Sequence, residues 1–402
     1  MLDTSLAKLL LVTCHRWPNP PLMAHALVQA GWSVGMLGPW RQPARLMTGL
    51  DHLATHDPWD REAGLRRAFA AWQPDLLVPC DDSAAAMLHG YRARLGAEGD
   101  ALARCIARSL GGEAHTEAVL HKSRFIEYAG ALGLRVPASV TLAATADLPA
   151  ALAAVGLPCM VKRDESWGGA GVAQAATAAE AAAALARFRA APGWAQVWRA
   201  AVVQQDAGLL RQRLRFRPPG LALQAMVPGS AVNRAVLCWQ GRVLAGLTIE
   251  ALENLPDCGP TSVVREIGHA GIAAASARMV AALGLSGFVG FDFMLDAAGD
   301  AHLIELNPRV TPACTLLVRR GAAVAAALRA AMAGAPLPAP APDLPDPAPH
   351  VLFPQELQRD PRSGWLDRRE HRVPWDEPRL VSWCIGNALR RGQQARRGAA
   401  RA

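Results

Sequence analysis

Within "FVGFDFMLDAAGDAHLIELNPRV", residues 288 to 310, Asp292, Glu305 and Asn307 interrupt two segments that otherwise have the apolar content of β-strands. Successive strand residues point to opposite faces, so Glu305 and Asn307 share one face while Ile304 and Leu306 take the other. If "AAGD" (297 to 300) is a four-residue turn, Asp296 faces Ala301, and counting back sets Asp292 directly opposite Glu305. Two carboxylates placed side by side repel. The nearest base on that face, Arg309, lies four residues beyond Glu305, too far along an extended chain to neutralise both. Magnesium answers the need: it is a hard cation that takes one or two carboxylates together with phosphate oxygens, and the amide oxygen of Asn307 can fill a further position. A chance pair of acids on a half-exposed strand is the plainer alternative.

The phosphate to go with such an ion has its own signal upstream. Lys162 ends the apolar run "LPCMV", where an ammonium can meet a phosphate without crossing a core, and "SWGGAG" (166 to 171) follows with three glycines in four residues, Gly168, Gly169 and Gly171. Without side chains, their N–H groups can approach phosphate oxygens closely. Alone, a lysine followed by glycines is often a surface turn. Together with the downstream acids it supplies what a magnesium-bound triphosphate needs.

Alternating strand-like and helix-like segments precede these residues: "KLLLVTC" (8 to 14), a helix around "LMAHALVQAG", "SVGMLG" (33 to 38) and "DLLVPCDD" (75 to 82). This alternation predicts βαβ units and a parallel, Rossmann-like sheet over residues 1–112, although no G-x-G-x-x-G follows the first strand and no dinucleotide site is expected. From about residue 115, "HTEAVLHKSRFIEYAGALGLRVPAS" reads as one amphipathic helix ended near Gly133 and Pro137, followed by a strand near "SVTL". Next come the strand ending at Lys162, the glycine loop, an alanine-rich helix, "LALQAMVPG", a hairpin turning at Gln240-Gly241, a helix over "HAGIAAASARMVAALGL", and the acid-bearing hairpin. The expected divisions are 113–335, itself split into a lid at about 113–222 and a metal-binding part at about 223–335, then a proline-rich linker at 336–350 and a C-terminal extension at 351–402.

Composition agrees with a soluble globular chain. Half of the 402 residues are apolar, enough for a large core, yet no apolar stretch is long enough to span a bilayer. "AKLLLVTCH" is too short and poorly flanked for a secretory signal, so the expected compartment is the cytoplasm. The eight cysteines form no C-x-x-C pair, which predicts reduced, buried thiols rather than a zinc site or disulfides. The net charge of +8 is concentrated in arginine-rich segments such as 210 to 220 and 389 to 402, which carry a single aromatic, Phe216, between them. Solvated helices account for them, and neither nucleic-acid nor membrane binding is expected.

Taken in order, the chain resembles the ATP-grasp family over roughly residues 5 to 335, with "GFDFMLDAAGDAHLIELNPR" similar to the family's metal hairpin. The resemblance implies an α/β fold with an α+β lid behind a Rossmann-like N-terminal domain, and ATP and Mg2+ as cofactors. It implies Asp292, Glu305 and Asn307 as metal ligands, Arg309 facing phosphate or substrate, Lys122 of "HKSRF" and Lys162 as nucleotide lysines, and a hinge that holds adenine through main-chain groups near Gln224 and Val227. The pattern departs at Ala225 and Ala231, where the family commonly has acids, and at His121, where an aspartate is frequent. "NPRVTPACT" lacks the run that follows the arginine in biotin carboxylases and looks more like ligases joining carboxylic acids to amines. The activity implied is ATP-dependent ligation of small-molecule carboxylate and amine substrates through an acyl phosphate, with Arg309 and Lys162 in catalytic roles and Arg265 and Arg234 as further candidate substrate contacts. Ala225 and Ala231 keep open an ATP-binding regulatory protein without turnover, and the C-terminal extension a ligase acting on a peptide or carrier partner. Substrate identities and oligomeric state are not readable from the residues.

Overall fold

A computed structural model describes residues 7–57, 60–95, 100–142, 147–164, 171–203, 208–214, 216, 218–256, 259–337, 345–346, 348–367 and 372–399. Four parallel strands open it: β1 (Lys8–Val12), β2 (Ser33–Gly38), β3 (His52–Thr55) and β4 (Leu76–Pro79), in the order β3-β2-β1-β4. Leu9, Leu10 and Leu11 of β1 are fully buried because helices cover both faces, which is why these strands read as unbroken apolar runs. Each such side chain contributes on the order of 2 kcal/mol by leaving water. β3 is short and only half-buried, and it carries no comparable apolar run in the sequence.

The second sheet is antiparallel, with β5 (Ser139–Leu142), β6 (Cys159–Arg163), β7 (Val172–Ala175) and β8 (Leu221–Ala225) in the order β5-β8-β6-β7. β8 runs through the lid boundary expected near 222. The third sheet has six strands: β9 (Ser230–Trp239), β10 (Arg242–Asn254), β11 (Thr261–Glu266), β12 (Gly287–Leu295), β13 (Ala301–Asn307) and β14 (Pro349–Val351), ordered β13-β12-β9-β10-β11-β14. Gln240 and Gly241, both with positive φ, make the two-residue turn between β9 and β10, as their sequence predicts. β14 takes in the last two residues of the stretch read as linker, and it joins the C-terminal part of the chain to the far edge of this sheet through β11.

The helix expected from about residue 115 is instead two, Thr116–Leu120 and Lys122–Ala131, because His121 is extended (φ −109°, ψ 120°). The second helix gets its N-terminal cap from outside: Asp164, just past β6, accepts from the Ser123 main-chain N–H (3.2 Å) and hydroxyl (2.9 Å). The break therefore makes Lys122 the first residue of a helix whose start is tied to the lid sheet. The helix Ala270–Leu283 is capped by the His269 ring at Ile272 N–H (3.1 Å) and ends at Gly284. There Gly112 approaches so closely that a Cβ would lie 1.8 Å from the Leu283 carbonyl oxygen, and only glycine fits this junction.

All seven described cysteines are buried and none is in a disulfide. Among the described residues no helix is long and apolar enough to cross a membrane.

Candidate active site

Strand pairing builds the site. Asp292 lies opposite Glu305, as counted from the sequence, but by a different route. The turn has five residues, not four: Asp296 accepts from Ala298 and Asp300 N–H groups, and Leu295 rather than Asp296 faces Ala301. A β-bulge then adds Ile304 between the pairs Phe293–Leu303 and Asp292–Glu305, which restores the carboxylates to register. The bulge also turns Ile304 into the cleft beside Glu305, where strict alternation places it on the opposite face. Phe291 and Phe293 keep that alternation: both are buried in the core under Lys122–Ala131 and Ala270–Leu283, which leaves Asp292 facing the cleft.

The charge that meets Glu305 comes from another element. Lys122 Nζ stands 3.1 Å from Glu305 Oε2, and both side chains are mostly buried. So the acid pair is not left to a metal alone for neutralisation, as the hairpin considered in isolation suggests. Burial works against the charge on Glu305, but Lys122 and then Lys162 outweigh it and hold its pKa below the usual value. Asp292 goes the other way: burial first, then the Glu305 charge, raises its pKa against hydrogen bonds from Asn233 (2.6 Å) and Asn307 (2.8 Å). Lys162, in β6 and only 7% exposed, is lowered to about 8 mainly by burial, with Lys122 adding to the effect and the two acids opposing it.

β13 ends at Asn307, yet the chain turns so that Arg309 still reaches the site. Its Nη2 donates to the Asn307 amide oxygen (2.9 Å) and its Nε to Asp82 (2.8 Å) at the end of the parallel sheet. Burial disfavours the Arg309 charge, but Asp82 and the two acids more than compensate and raise its pKa. Val310 N–H bonds to the Pro79 carbonyl (3.0 Å), a second tie between the hairpin and the N-terminal sheet. Gly290, opposite Asn307, leaves room for this turn, since a Cβ there would lie 2.5 Å from Thr311 Cγ2.

These groups line a cleft of about 640 Å³ between the second and third sheets. Lys122, Lys162, Asp292, Glu305, Asn307 and Arg309 all reach it, as do Gln224, Ala225 and Val227 at the hinge. Gln224 is buried and donates to Ser139 Oγ (3.1 Å), so its amide fastens β8 to β5. Gly171 accepts from Arg163 N–H (2.8 Å) through its carbonyl, closing the base of the glycine loop, whereas Gly168 and Gly169 lie outside the described residues. Arg265 and Arg234 do not line the cleft: Arg265 pairs with Glu250 at the surface, and Arg234 is buried against Thr248 (2.6 Å).

Three contributors had no distinctive signal in the sequence. Asp82 and Asp164 act across sheets, which residue spacing cannot reveal. Asn233, opposite Asp292 on β9, belongs to an otherwise ordinary strand. Its amide oxygen is buried with no hydrogen-bond partner among the described residues, an acceptor beside two carboxylates. Two acids and two amides form a hard-oxygen donor set that fits magnesium, and no group of three His, Cys, Asp or Glu among the described residues offers a softer site. As oriented, Asn307 gives its amide nitrogen to Asp292 and its oxygen to Arg309, so its ligand role requires exchanging that arginine bond for the ion.

No protein-family model matches the sequence, and no curated protein matches it. Solved structures do. An L-amino acid ligase from Bacillus licheniformis is 18% identical with a TM-score of 0.52, covering 76% of this chain and 68% of its own. The biotin carboxylase domain of Hydrogenobacter thermophilus 2-oxoglutarate carboxylase, solved with magnesium ADP and bicarbonate, is 15% identical with a TM-score of 0.57, over 84% of this chain and 72% of that one. N5-carboxyaminoimidazole ribonucleotide synthetase from Thermus thermophilus is 17% identical with a TM-score of 0.54, over 83% and 79%. At these identities the likeness is one of architecture, and it agrees with the order of sheets and the acid-bearing hairpin described above. The chain has the ATP-grasp fold.

Proposed function

We propose that the protein is an ATP-dependent ligase that activates a carboxylate as an acyl phosphate and joins it to an amine. The observation that carries this reading is the convergence of Lys122, Lys162, Asp292 and Glu305 at one end of the cleft, two ammonium groups and two carboxylates drawn from both sheets and from the helix Lys122–Ala131. Such a set suits a magnesium-bound triphosphate and little else of that size. Asp292, Glu305 and Asn307, with Asn233 beside them, would hold magnesium, which would supply charge neutralisation on the terminal phosphates. Lys122 and Lys162 do the same for the remaining phosphate oxygens, and burial makes their fields strong because little water screens them. Main-chain groups near Gln224 and Val227 hold the adenine edge.

In the reaction a carboxylate oxygen of the substrate attacks the γ-phosphorus, and the bond to the bridging oxygen breaks as ADP leaves. The amine nitrogen then attacks the acyl carbon, phosphate departs and the nitrogen loses a proton. Arg309 is held by Asp82 and the Val310 carbonyl, and when the Asn307 oxygen turns to the ion the released Nη2 suits the carboxylate or the oxyanion that forms on it. The L-amino acid ligase among the structural neighbours is consistent with this chemistry.

Ala225, which lines the cleft at the hinge where an acid is common, favours a second reading, an ATP-binding regulatory protein without turnover. One assay separates the two. Magnesium-dependent ADP release is measured against pooled carboxylic acids with hydroxylamine present, and Glu305→Ala serves as control. Hydroxamate that disappears in the variant supports the ligase, and saturable ATP binding with no ADP from any pool supports the regulator. Deleting residues 336–402 is a poor test of a carrier-dependent ligase, because it removes β14 from the sheet and Leu352 from the cleft.

A further inference from the structure

Cross-strand pairing carries the floor of the cleft well beyond the acids. Residues directly opposite in an antiparallel sheet share a face, and the row Glu305–Asp292–Asn233 continues to Ile249 on β10 and then to Glu266 on β11, whose carboxylate is taken up by Arg320 and His350 and does not line the cleft. From there the lining changes character. Ile249, Ala251, Leu255, Val264, Ala313 and Leu352 make most of the remainder apolar, all but Ala251 more than nine-tenths buried, while Asn254 and Thr261 are bonded to each other at its exposed rim (2.8 Å). The charged side chains of the cleft, Lys122, Lys162, Asp292, Glu305 and Arg309, come from β6, from β12, from β13 and the turn after it, and from the helix Lys122–Ala131. Among the described residues none comes from β10, β11 or the chain after β14. Leu352 is held in place by its N–H bond to the Ser262 carbonyl (2.8 Å), so the apolar end is a built surface rather than a loose edge.

We infer that this apolar end seats the hydrocarbon body of the carboxylate substrate, with the carboxylate itself turned toward Arg309 and the phosphate end. The inference rests on the ligase reading and adds the class of acid. Chemistry on both sides of the boundary points to it. An acid whose far end is charged loses its hydration in this half and finds no opposite charge among the described residues that line it. An ω-amino acid placed the same way carries its ammonium group into this half, where no carboxylate among the described residues lines the cleft. A monocarboxylic acid with an aliphatic or aromatic body loses only unfavourable contact with water.

The test is the hydroxylamine assay run with straight-chain acids of increasing length, against dicarboxylic acids and ω-amino acids of matched length. With apolar acids, kcat/KM should climb roughly fourfold per added methylene until the end of the cleft is filled. Leu352→Ala and Ile249→Ala should each flatten that climb, lowering kcat/KM about tenfold or more for long acids and little for acetate, while the affinity for ATP stays as in the parent. Equal or better turnover of diacids or ω-amino acids, or a length dependence that follows the amine and not the acid, overturns the proposal. If no acid is turned over, the ligase reading fails by itself, and calorimetry on protein saturated with magnesium and a non-hydrolysable ATP analogue still decides: apolar acids that bind with the same length dependence, lost in Leu352→Ala, support the apolar seat, and no binding rejects it.

Discussion

The two ends of the cleft lie on one sheet and are held by opposite means. At the β13–β12–β9 end, geometry is fixed by charge: Lys122 on Glu305, Asp292 between two amides, and Arg309 between Asn307 and Asp82. At the β10–β11–β14 end it is fixed by packing, with main-chain bonds from Leu352 to Ser262 and from Glu356 to Leu352 and a carboxylate, Glu266, clamping the edge strand from outside the cleft. The difference separates two tasks. A charged end is specific about what it binds but cannot adjust to bulk, whereas an apolar end tolerates shape and rejects charge.

The largest expected effect tests whether the charged end acts as a unit. Glu305→Ala leaves Lys122 and Lys162 without their nearest carboxylate and Asp292 without its neighbour. Magnesium-dependent ADP release should fall by about a thousandfold, equally for every acid, since no contact at the apolar end is altered. A loss that differs from acid to acid breaks the division.

A smaller effect tests the clamp of the apolar end. Glu266 accepts from Asp346 N–H (2.9 Å), pairs with Arg320 and stands 3.3 Å from His350, so it fastens the chain entering β14. Burial opposes its charge, yet these partners bring its pKa down to about 2 from the ordinary 4.5. A carboxylate with a lowered pKa stabilises the fold above the ordinary value and loses that contribution as pH falls through the folded one. Glu266→Gln should therefore cost roughly 3 kcal/mol in denaturant unfolding near neutrality, and its deficit against the parent should shrink as the pH is lowered from 4.5 toward 2. ATP affinity should be unchanged, because the clamp does not reach the charged end.

The smallest effect falls on the border. Asp82 positions Arg309 from the parallel sheet, and Asp82→Asn keeps an acceptor while removing the charge. We expect about a tenfold fall in kcat/KM, carried by the KM for the acid, with the KM for ATP unmoved. A purely structural role for Asp82 would lower stability and leave that split absent.

What the sequence discloses about this site follows from how far apart its parts lie. The Asp292–Glu305 pair is local to one hairpin, so alternation and a turn suffice to find it. Even there the five-residue turn and the bulge at Ile304 are two departures that cancel, and the side chain they move is Ile304 itself. The two-residue turn at Gln240-Gly241 is legible through Gly241, which accepts positive φ freely, whereas Gln240, at φ 47°, is of a type that seldom does. The break at His121 is not, because the cap that starts the next helix belongs to Asp164 on the lid sheet. The contact of Arg309 with Asp82, 227 positions apart, is likewise a product of how sheets stack, and no periodicity in either segment encodes it. The apolar end is hidden for a similar reason: its residues look like ordinary core until pairing lays them beside the acids.

The addition of β14 also sets an order of assembly. During synthesis every charged side chain of the cleft has been added once residue 309 is made, but Leu352 and the strand that holds it come later and leave the ribosome later. A ribosome-bound chain can thus display its lysines and acids while the opposite wall is open and the last edge of the sheet is bare. Bare edges pair with other chains. The C-terminal segment therefore closes the pocket and also ends the interval in which the nascent protein is most exposed to misassociation.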